Sequence, residues 1–309
     1  MAELRVATLN LLNFAAPPLA CYEWDNIYSA AQWQQKTNWL RTLLQQQQPD
    51  ILVLQEVFSV AELQELLAAL GYAWFAVVES PELVDQHVFT RPVVAIASRV
   101  PMLQTQEIVA DAAGLAQLGL ASFQFSRKPV LVQLDTPQFG PLWVASVHLK
   151  SRRPAELPDA ALALWASELQ RGYEAALLRQ ALAKHCRCAQ GQAEPLIVAG
   201  DFNDVLSSAL LQPLLTADRS QQPLFLLQDA AGLAADACRA PTHYYGAGGQ
   251  VLDYLLVSAA FDPRHHHACG EVSSYQVFDR HLVAPVFALD GYSSDHAYVQ
   301  ISLKPLRPR

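Results

Sequence analysis

Short apolar runs alternate along this chain with stretches whose apolar residues recur at helical spacing. Short apolar runs bounded by polar residues are typical of buried β-strands, and a period of about 3.6 residues indicates amphipathic helices. Strands are predicted at residues 4–9, 51–54, 74–78, 93–98, 130–134, 142–147, 196–199, 252–257 and 297–303, and helices at 31–48, 59–71 and 158–185. Because strands and helices are interspersed, the pattern indicates an α/β fold.

Local signals predict where the first two helices begin and end. Pro49 follows the first helical stretch and cannot continue it. Ser59 stands three residues before Glu62, the spacing of a capping box, so Ser59 is predicted to cap the second helix. Gly71 is placed to end that helix in a left-handed conformation.

The organisation of the chain predicts one domain covering residues 1–309. No repeat with a period of 20–50 residues is present, and no Gly/Ser-rich or Pro-rich linker divides the sequence. The hydrophobic fraction is 52% and the charged fraction is 16%, a balance that supports a large core and disfavours general disorder.

Net charge and the amino-terminal sequence narrow the class of protein further. A formal net charge of -8 disfavours tight, non-specific binding of nucleic acid, although the acidic residues of a metal site would contribute to that total. No signal-peptide pattern and no apolar run of about 18 residues is seen, so we expect a cytoplasmic protein without membrane insertion. The five cysteines fit no zinc-binding spacing and are predicted to be free thiols.

Polar residues with catalytic or metal-binding chemistry cluster at the ends of the predicted strands. They are Asn10, Gln55-Glu56, His148 with Lys150, Asp201 with Asn203 and Asp204, Asp253, and Asp295-His296. Each one alone has an ordinary explanation as a turn or solvated residue. As an ordered set, they predict a polar site on one rim of a rigid sheet.

Six short motifs carry a resemblance to a known family. They are L-N at 9–10, L-Q-E-V at 54–57, S-V-H-L at 146–149, A-G-D-F-N-D at 199–204, L-D-Y-L-L-V-S at 252–258 and S-S-D-H at 293–296. Together they resemble the endonuclease/exonuclease/phosphatase (DNase I-like) superfamily. The stretches at 94–101, 148–154 and 171–175 resemble its bacterial nuclease-like branch. The resemblance implies a four-layer α/β/β/α sandwich, with two mostly antiparallel sheets packed face to face and helices outside.

The resemblance also implies a metal centre for Mg²⁺ or Mn²⁺. Glu56 is the expected metal ligand, because a hard carboxylate oxygen suits these ions and Mg²⁺ uses few protein ligands. Asn10 matches the family residue beside that metal, acting through its side-chain carbonyl or a water. Asp295 matches a position near the metal and the leaving group.

The remaining site residues would bind the phosphate and move protons. Asp253 and His296 resemble the family's carboxylate–imidazole pair, in which the carboxylate fixes the His tautomer. Either Asp201 or His296 could take the proton from water. Asn203 would donate to a non-bridging oxygen, and His148 would do so when protonated or would orient the phosphate.

Lys150, Arg152 and Arg153 form the most basic short segment, directly after His148. They could hold phosphates that flank the reacting one, or they could be a solvated loop. Two features depart from the family pattern: no carboxylate partner for His148 is identified, and the segment between Glu56 and Val93 aligns poorly with the family.

Three functions are consistent with these observations. The first is a metal-dependent nuclease that hydrolyses DNA or RNA. The second is a phosphatase or phosphodiesterase of the same superfamily acting on a phospholipid or small phosphoester. An enzyme acting on lipids would be expected to expose a hydrophobic hairpin, and no clear one is predicted. The third is an inactive binding module, which the presence of Glu56, Asp201, Asn203, Asp253 and His296 disfavours. The choice of substrate and the oligomeric state stay open.

Overall fold

Two six-stranded sheets form the centre of the fold. The computed structural model describes residues 3–186, 194–215, 227–237 and 239–306. In spatial order, the first sheet contains β16 (Gly270–Phe278), β17 (Tyr298–Pro305), β1 (Leu4–Phe14), β3 (Ile51–Val57), β7 (Val93–Ser98) and β4 (Trp74–Ala76). The second contains β12 (Gln228–Asp229), β15 (Asp253–Val257), β11 (Leu196–Asp201), β10 (Gly140–His148), β9 (Val130–Thr136) and β8 (Met102–Glu107).

Smaller sheets and helices complete the described fold. One small sheet pairs β13 (His243–Tyr245) with β14 (Gly248–Gln250), and another joins β2 (Ala20–Cys21), β6 (Val88–Arg91) and β5 (Glu82–Val84). The helices are α1 (Ala30–Gln47), α2 (Val60–Ala68), α3 (Ala112–Gln117), α4 (Ala160–His185), α5 (Gln212–Leu215), α6 (Arg280–Val283) and α7 (Phe287–Asp290). Within the described residues, no helix is long and apolar enough to cross a membrane.

The two large sheets are mostly antiparallel, as predicted. The exceptions are β1 with β3 and β10 with β11, which run parallel. A parallel pair needs a crossover connection, and α1 and α4 supply the two crossovers. Because parallel strands end at the same edge, each crossover brings the carboxyl ends of two strands together.

Three apolar clusters create the four layers. One cluster fills the space between the sheets and includes Val53 and Ile301 from the first sheet and Val144 and Leu255 from the second. A second cluster packs α1 and α2 on the outer face of the first sheet. A third packs α4 on the outer face of the second sheet. The predicted α/β/β/α sandwich is therefore confirmed, whereas the assignment of residues 1–309 to a single domain stays a prediction.

The capping prediction for the second helix was wrong. Ser59 precedes α2 but makes no side-chain capping bond, because its hydroxyl accepts a hydrogen bond from the Ala16 backbone N–H at 2.7 Å. A capping box is instead present at the start of α1, between Ser29 and Gln32. Tertiary packing of the 15–18 loop against Ser59 thus overrides the local signal.

The predicted free thiols are confirmed for the cysteines that the structure describes. Cys21, Cys186 and Cys269 are free, and Cys21 and Cys186 are buried. Cys188 and Cys238 lie outside the described residues.

Candidate active site

The polar ends of the two sheets meet at one edge of the sandwich. In the second sheet, His148 lies beside Asp201, and Asp201 lies beside Asp253, in adjacent strand positions. In the first sheet, Asn10 lies beside Gln55. The Asn10 amide donates to Asp201 Oδ2 across the gap between the sheets at 3.1 Å. The structure therefore joins residues that are 191 positions apart in the chain into one buried cluster.

A glycine allows two strands of this edge to approach closely. Gly200 precedes Asp201 and has φ = +145°, a backbone conformation that residues with a side chain rarely adopt. A Cβ at this position would overlap the carbonyl oxygen of Val147 on β10. A glycine at position 200 is thus required by the contact between β10 and β11.

Bulges direct Glu56 into the site. The pairing register shifts between Asn10 and Phe14 on β1 and between Leu54 and Val57 on β3. Glu56 lies within the second irregularity and has φ = +58°, a left-handed conformation that is uncommon for a residue with a side chain. Bulges of this kind redirect side chains next to active sites. The strain at Glu56 supports a functional role.

The carboxylate of Glu56 has few protein partners. Oε1 accepts from Asn10 Nδ2 at 3.4 Å, and Oε2 accepts from the Asn13 backbone N–H at 2.9 Å. The amide oxygen of Asn10 accepts from the Leu12 N–H at 3.1 Å. Asn10 thus presents its amide nitrogen to Glu56 and Asp201, so its contribution in this conformation is to position both carboxylates.

Asp253 and His296 form the predicted carboxylate–imidazole pair. His296 Nδ1 lies 2.8 Å from Asp253 Oδ2, and both residues are buried. Burial alone would lower the pKa of His296, but the charges of Asp253, Asp201 and Asp295 raise it to about 10. His296 is therefore a cation at neutral pH, with Nε2 facing the other carboxylates.

Asp201 occupies the centre of the cluster. Its Oδ2 lies 3.5 Å from His148 Nε2 and 3.8 Å from His296 Nε2, and its Oδ1 accepts from the Asn203 N–H at 2.8 Å. Burial raises the pKa of Asp201 to about 7, despite the opposing charge of His296. A carboxylate with this pKa can accept a proton near neutral pH.

Two roles were left open for His148, one as a protonated donor and one as a group that orients the phosphate. Burial lowers the pKa of His148 well below the ordinary value, and Arg127 and His296 act in the same direction. Its Nδ1 has no hydrogen-bond partner among the described residues, so none of their carboxylates holds this nitrogen. His148 is thus a neutral imidazole that can orient a phosphate through Nε2.

The loop after β11 and the basic loop after β10 are tied together. Asn203 has φ = +53°, and its amide donates to the carbonyl of Leu149 at 3.0 Å. Arg152 donates to Asn203 O, Gln250 Oε1 and Asp204 Oδ1. The guanidinium of Arg152 thus serves three protein acceptors in this conformation, and a flanking phosphate would have to displace some of them.

Helix α4 holds the basic loop in place. Glu174 accepts from the Lys150 backbone N–H at 2.6 Å, and Arg171 donates to the Lys150 carbonyl at 3.1 Å. Both residues are buried, and Arg171 also pairs with Asp204. This explains the Arg-x-x-Glu sequence at 171–174 as a clamp on the backbone that follows His148.

Three cations of this rim have no ion pair within the part of the chain that the structure describes. Lys150 and Arg127 are half-buried, and Arg153 is exposed, with its guanidinium 5.7 Å from the Tyr22 ring centroid. The positive charge of Arg127 acts to lower the pKa of both His148 and Lys150. Arg127 therefore lies close enough to the site to influence both residues.

Two polar residues near the site were missed by sequence reasoning. His243 Nε2 lies 3.8 Å from Asp295 Oδ2, and its ring centroid lies 4.8 Å from that of His296. Lys36 lies on α1, is 2% exposed and donates to the carbonyl of Ser293 at 3.3 Å. Neither residue follows a predicted strand, so the strand-end pattern could not identify them.

The buried ammonium of Lys36 leads to a prediction about stability. Burial lowers the pKa of Lys36 to about 8, although Glu56 and Asp295 act to raise it. The unfolded chain, with a lysine pKa of about 10.4, binds more protons between these values, so the stability of the protein rises with pH across this window. Replacing Lys36 with Met should increase the free energy of unfolding at pH 7 by about 1–3 kcal/mol, after allowing for the lost hydrogen bond.

Urea denaturation at pH 7 and at a pH of about 9.5, between the two pKa values, measures this effect. The increase should shrink at the higher pH, and Lys184→Met, at an exposed position of α4, should change stability by less than about 0.5 kcal/mol. A Lys36→Met protein that is less stable than the unaltered protein at pH 7 would show that the lysine stabilises the fold.

The fold and the site define a class of phosphoester hydrolases. Residues 7–296 match the model of the Endonuclease/Exonuclease/phosphatase family. The chain belongs to this family, whose members are phosphoester hydrolases and usually use a divalent metal. No curated protein matches the chain in sequence.

Solved structures share the fold at low sequence identity. The catalytic domain of human Nocturnin with a bound sulfate anion is 22% identical, with a TM-score of 0.64 over 98% of this chain and 95% of that one. An endonuclease/exonuclease/phosphatase from Beutenbergia cavernae is 22% identical, with a TM-score of 0.58 over 99% of this chain and 72% of that one. D. rerio TDP2 complexed with single-strand DNA product is 15% identical, with a TM-score of 0.61 over 98% and 100% of the two chains.

The residues present fit a hard divalent cation. Glu56 offers carboxylate oxygens with unused lone pairs, and it lies near the buried carboxylate of Asp201 through their shared contact with Asn10. Oxygen donors of this kind suit Mg²⁺ and Mn²⁺. Glu56 is the residue that would hold the ion, with Asn10 beside it and Asp295 as a further carboxylate of the site.

Proposed function

We propose that this protein is a divalent-metal-dependent phosphodiesterase that cleaves DNA or RNA. The observation that carries the proposal is the arrangement of Asp201 and the Asp253–His296 pair opposite Glu56, with Asn10 between the two sides. Hydrolysis of a phosphodiester needs an activated water and stabilisation of charge on the phosphoryl oxygens. This arrangement offers groups for both tasks.

Asp201 is the group we assign as general base. Its raised pKa, about 7, lets it accept a proton from water near neutral pH. His296 is already charged at that pH, so it serves better as a cation that stabilises the pentacovalent phosphorus species. Asp253 holds the tautomer and orientation of His296 through the 2.8 Å contact.

Other residues would bind the phosphate. A Mg²⁺ or Mn²⁺ ion held by Glu56, with Asp295 as an additional ligand, would neutralise charge on the phosphoryl oxygens, and Asn10 would position Glu56 through its amide. Asn203 and His148 lie beside Asp201 and would contact a non-bridging oxygen. The cations that would hold flanking phosphates are Lys150, Arg153 and Arg127, and Arg152 would join them only after releasing protein acceptors.

A nucleic acid substrate is supported by the charge of this rim. The overall charge is -8, yet three cations without ion pairs border the cluster in the described chain. Trp24 is 62% exposed and stacks on His87 with ring centroids 5.0 Å apart. Exposed aromatic faces combined with cations are a feature of surfaces that bind single strands.

A second candidate is a phosphodiesterase for a phosphoester with an apolar group. Contrary to the sequence-based expectation, the β5–β6 hairpin exposes Leu83 and Val84, which are 41% and 42% exposed. An exposed apolar hairpin can contact lipid. This observation keeps phospholipids and small phosphoesters as alternative substrates.

Cleavage assays on three polymers distinguish the candidates. Supercoiled plasmid, single-stranded DNA and RNA would each be incubated with Mg²⁺, Mn²⁺ or EDTA, beside Asp201→Asn protein purified in the same way. We expect cleavage that requires metal and is lost in the variant. Hydrolysis of bis-p-nitrophenyl phosphate without cleavage of any polymer would reject the nuclease and support the second candidate.

A further inference from the structure

A second group of metal-ligating side chains lies beside the proposed catalytic cluster. His243, Asp295 and His296 present ligand atoms that all lie within 4.8 Å of one another. His243 Nε2 is 3.8 Å from Asp295 Oδ2, and His296 Nε2 is 3.9 Å from Asp295 Oδ1. Hydrolysis as described above gives no task to His243.

The backbone fixes the two imidazoles next to each other. His243 and His296 form an isolated antiparallel bridge, and the Ala297 N–H donates to the Thr242 carbonyl at 2.7 Å. Their rings are tilted by 48°, with centroids 4.8 Å apart. The proximity of the two rings is therefore a property of the fold.

The ligand atoms are more widely spaced than those of a tetrahedral zinc site, and they would draw together around the ion. Zinc binds imidazole nitrogen and carboxylate oxygen at about 2.0–2.2 Å, which places neighbouring ligand atoms roughly 3.3 Å apart. The two contacts to Asp295, which involve different carboxylate oxygens, need to shorten by about 0.5 Å to reach this value, and the ligand atoms of the group lie up to 4.8 Å apart. The Asp295 side chain is 48% exposed, so it has room to make this small adjustment.

The surroundings of His296 resemble those of a metal ligand. A histidine bound to zinc through one nitrogen usually donates from the other nitrogen to a carboxylate. His296 has this arrangement, with Asp253 on Nδ1 and Nε2 directed toward Asp295 and Asp201.

Ligand chemistry distinguishes this site from the one at Glu56, although both would use Asp295. Two imidazoles and one carboxylate favour borderline ions such as Zn²⁺, whereas the oxygen donors around Glu56 favour Mg²⁺. We propose that His243, Asp295 and His296 form a zinc-binding site whose occupancy blocks hydrolysis, because it occupies the His296 nitrogen that faces the phosphate. The inhibition of hydrolysis by zinc rests on the proposed function, whereas zinc binding by these three residues does not.

Zinc titrations of the full chain test the proposal. Binding of Zn²⁺ would be measured by calorimetry in the absence of substrate, and inhibition by Zn²⁺ would be measured with bis-p-nitrophenyl phosphate at saturating Mg²⁺. Each variant is compared with its own zinc-free rate. His243→Phe keeps an aromatic ring in the same space but removes the ligand, and His243→Asn provides a second replacement.

A control is needed because the run His265–His267 brings three imidazoles together on the surface. His266→Asn disrupts that run and leaves the proposed site intact. We expect both His243 variants to weaken Zn²⁺ binding and to raise the inhibitory concentration by at least about tenfold, with no such change in His266→Asn.

The possible results separate the two proposals. Zinc binding that is unaffected in both His243 variants would overturn the site. Binding that depends on His243 without any inhibition would overturn the block of hydrolysis. A protein that hydrolyses no substrate but binds zinc through His243 would reject the proposed function and retain the metal site.

Discussion

Replacing Asp201 with Asn should lower kcat for phosphodiester hydrolysis by about 10³- to 10⁴-fold. Asp201 is the group placed to accept a proton from water, and an amide of the same shape cannot accept it. The residue contacts His148, His296, Asn10 and Asn203, so its removal also disturbs the orientation of these groups. Initial rates with bis-p-nitrophenyl phosphate at saturating Mg²⁺ measure the loss.

A matched aspartate controls for the loss of a buried carboxylate. Asp229 belongs to the same sheet, and burial also raises its pKa, but it pairs with Leu256 near the opposite end of β15. Because Asp229 lies outside the site, the kcat of Asp229→Asn should stay within a few-fold of the unaltered protein. An Asp201→Asn protein as active as this control would exclude Asp201 as the base.

Replacing Glu56 with Gln should be the second large effect. We expect kcat to fall by about 10³-fold and the Mg²⁺ concentration for half-maximal activity to rise at least about tenfold. The amide oxygen of the new side chain can still accept from the Asn13 N–H, so the backbone of the bulge keeps its partner. The variant loses the charge that would hold the cation, with little change in shape.

Activity measured against Mg²⁺ concentration tests this prediction. Glu62→Gln and Glu65→Gln, which change exposed carboxylates of α2, serve as controls and should follow the metal dependence of the unaltered protein. If Glu56→Gln had the same metal dependence as these controls, the cation would have to be held elsewhere.

The polar residues at strand ends could be predicted as site residues because the end of an apolar run marks the end of a buried strand, which local sequence reveals. Asn10, His148, Asp201 and Asp253 lie on or at the ends of paired strands, and the fold that brings them together was implied by the motifs. Apolar periodicity underestimated β1, which was predicted to end at residue 9 and extends to Phe14. Polar Asn10 ends the apolar run, but the pairing of the backbone continues through the bulge.

Contacts between distant segments could not be predicted from local patterns. Lys36 reaches the site from the middle of α1, where the sequence resembles any other polar helical position. His243 follows a threonine on a short hairpin, and no apolar run in the sequence predicts that hairpin. Arg152 was grouped with the phosphate-binding cations because the segment is basic. Its hydrogen bonds to Gln250 and Asp204 depend on the folded arrangement and have no local signal in the sequence.

Hydrolysis of bis-p-nitrophenyl phosphate by the unaltered protein, with Mg²⁺ or with EDTA, tests the central claim most directly. This substrate contains the phosphodiester and lacks any base or lipid, so it reports on the cluster of Glu56, Asp201 and His296 without depending on the choice of natural substrate. We predict turnover that requires the metal and disappears on chelation. Absence of turnover with both Mg²⁺ and Mn²⁺, in protein shown to be folded, would contradict the assignment of this cluster as a phosphodiesterase site.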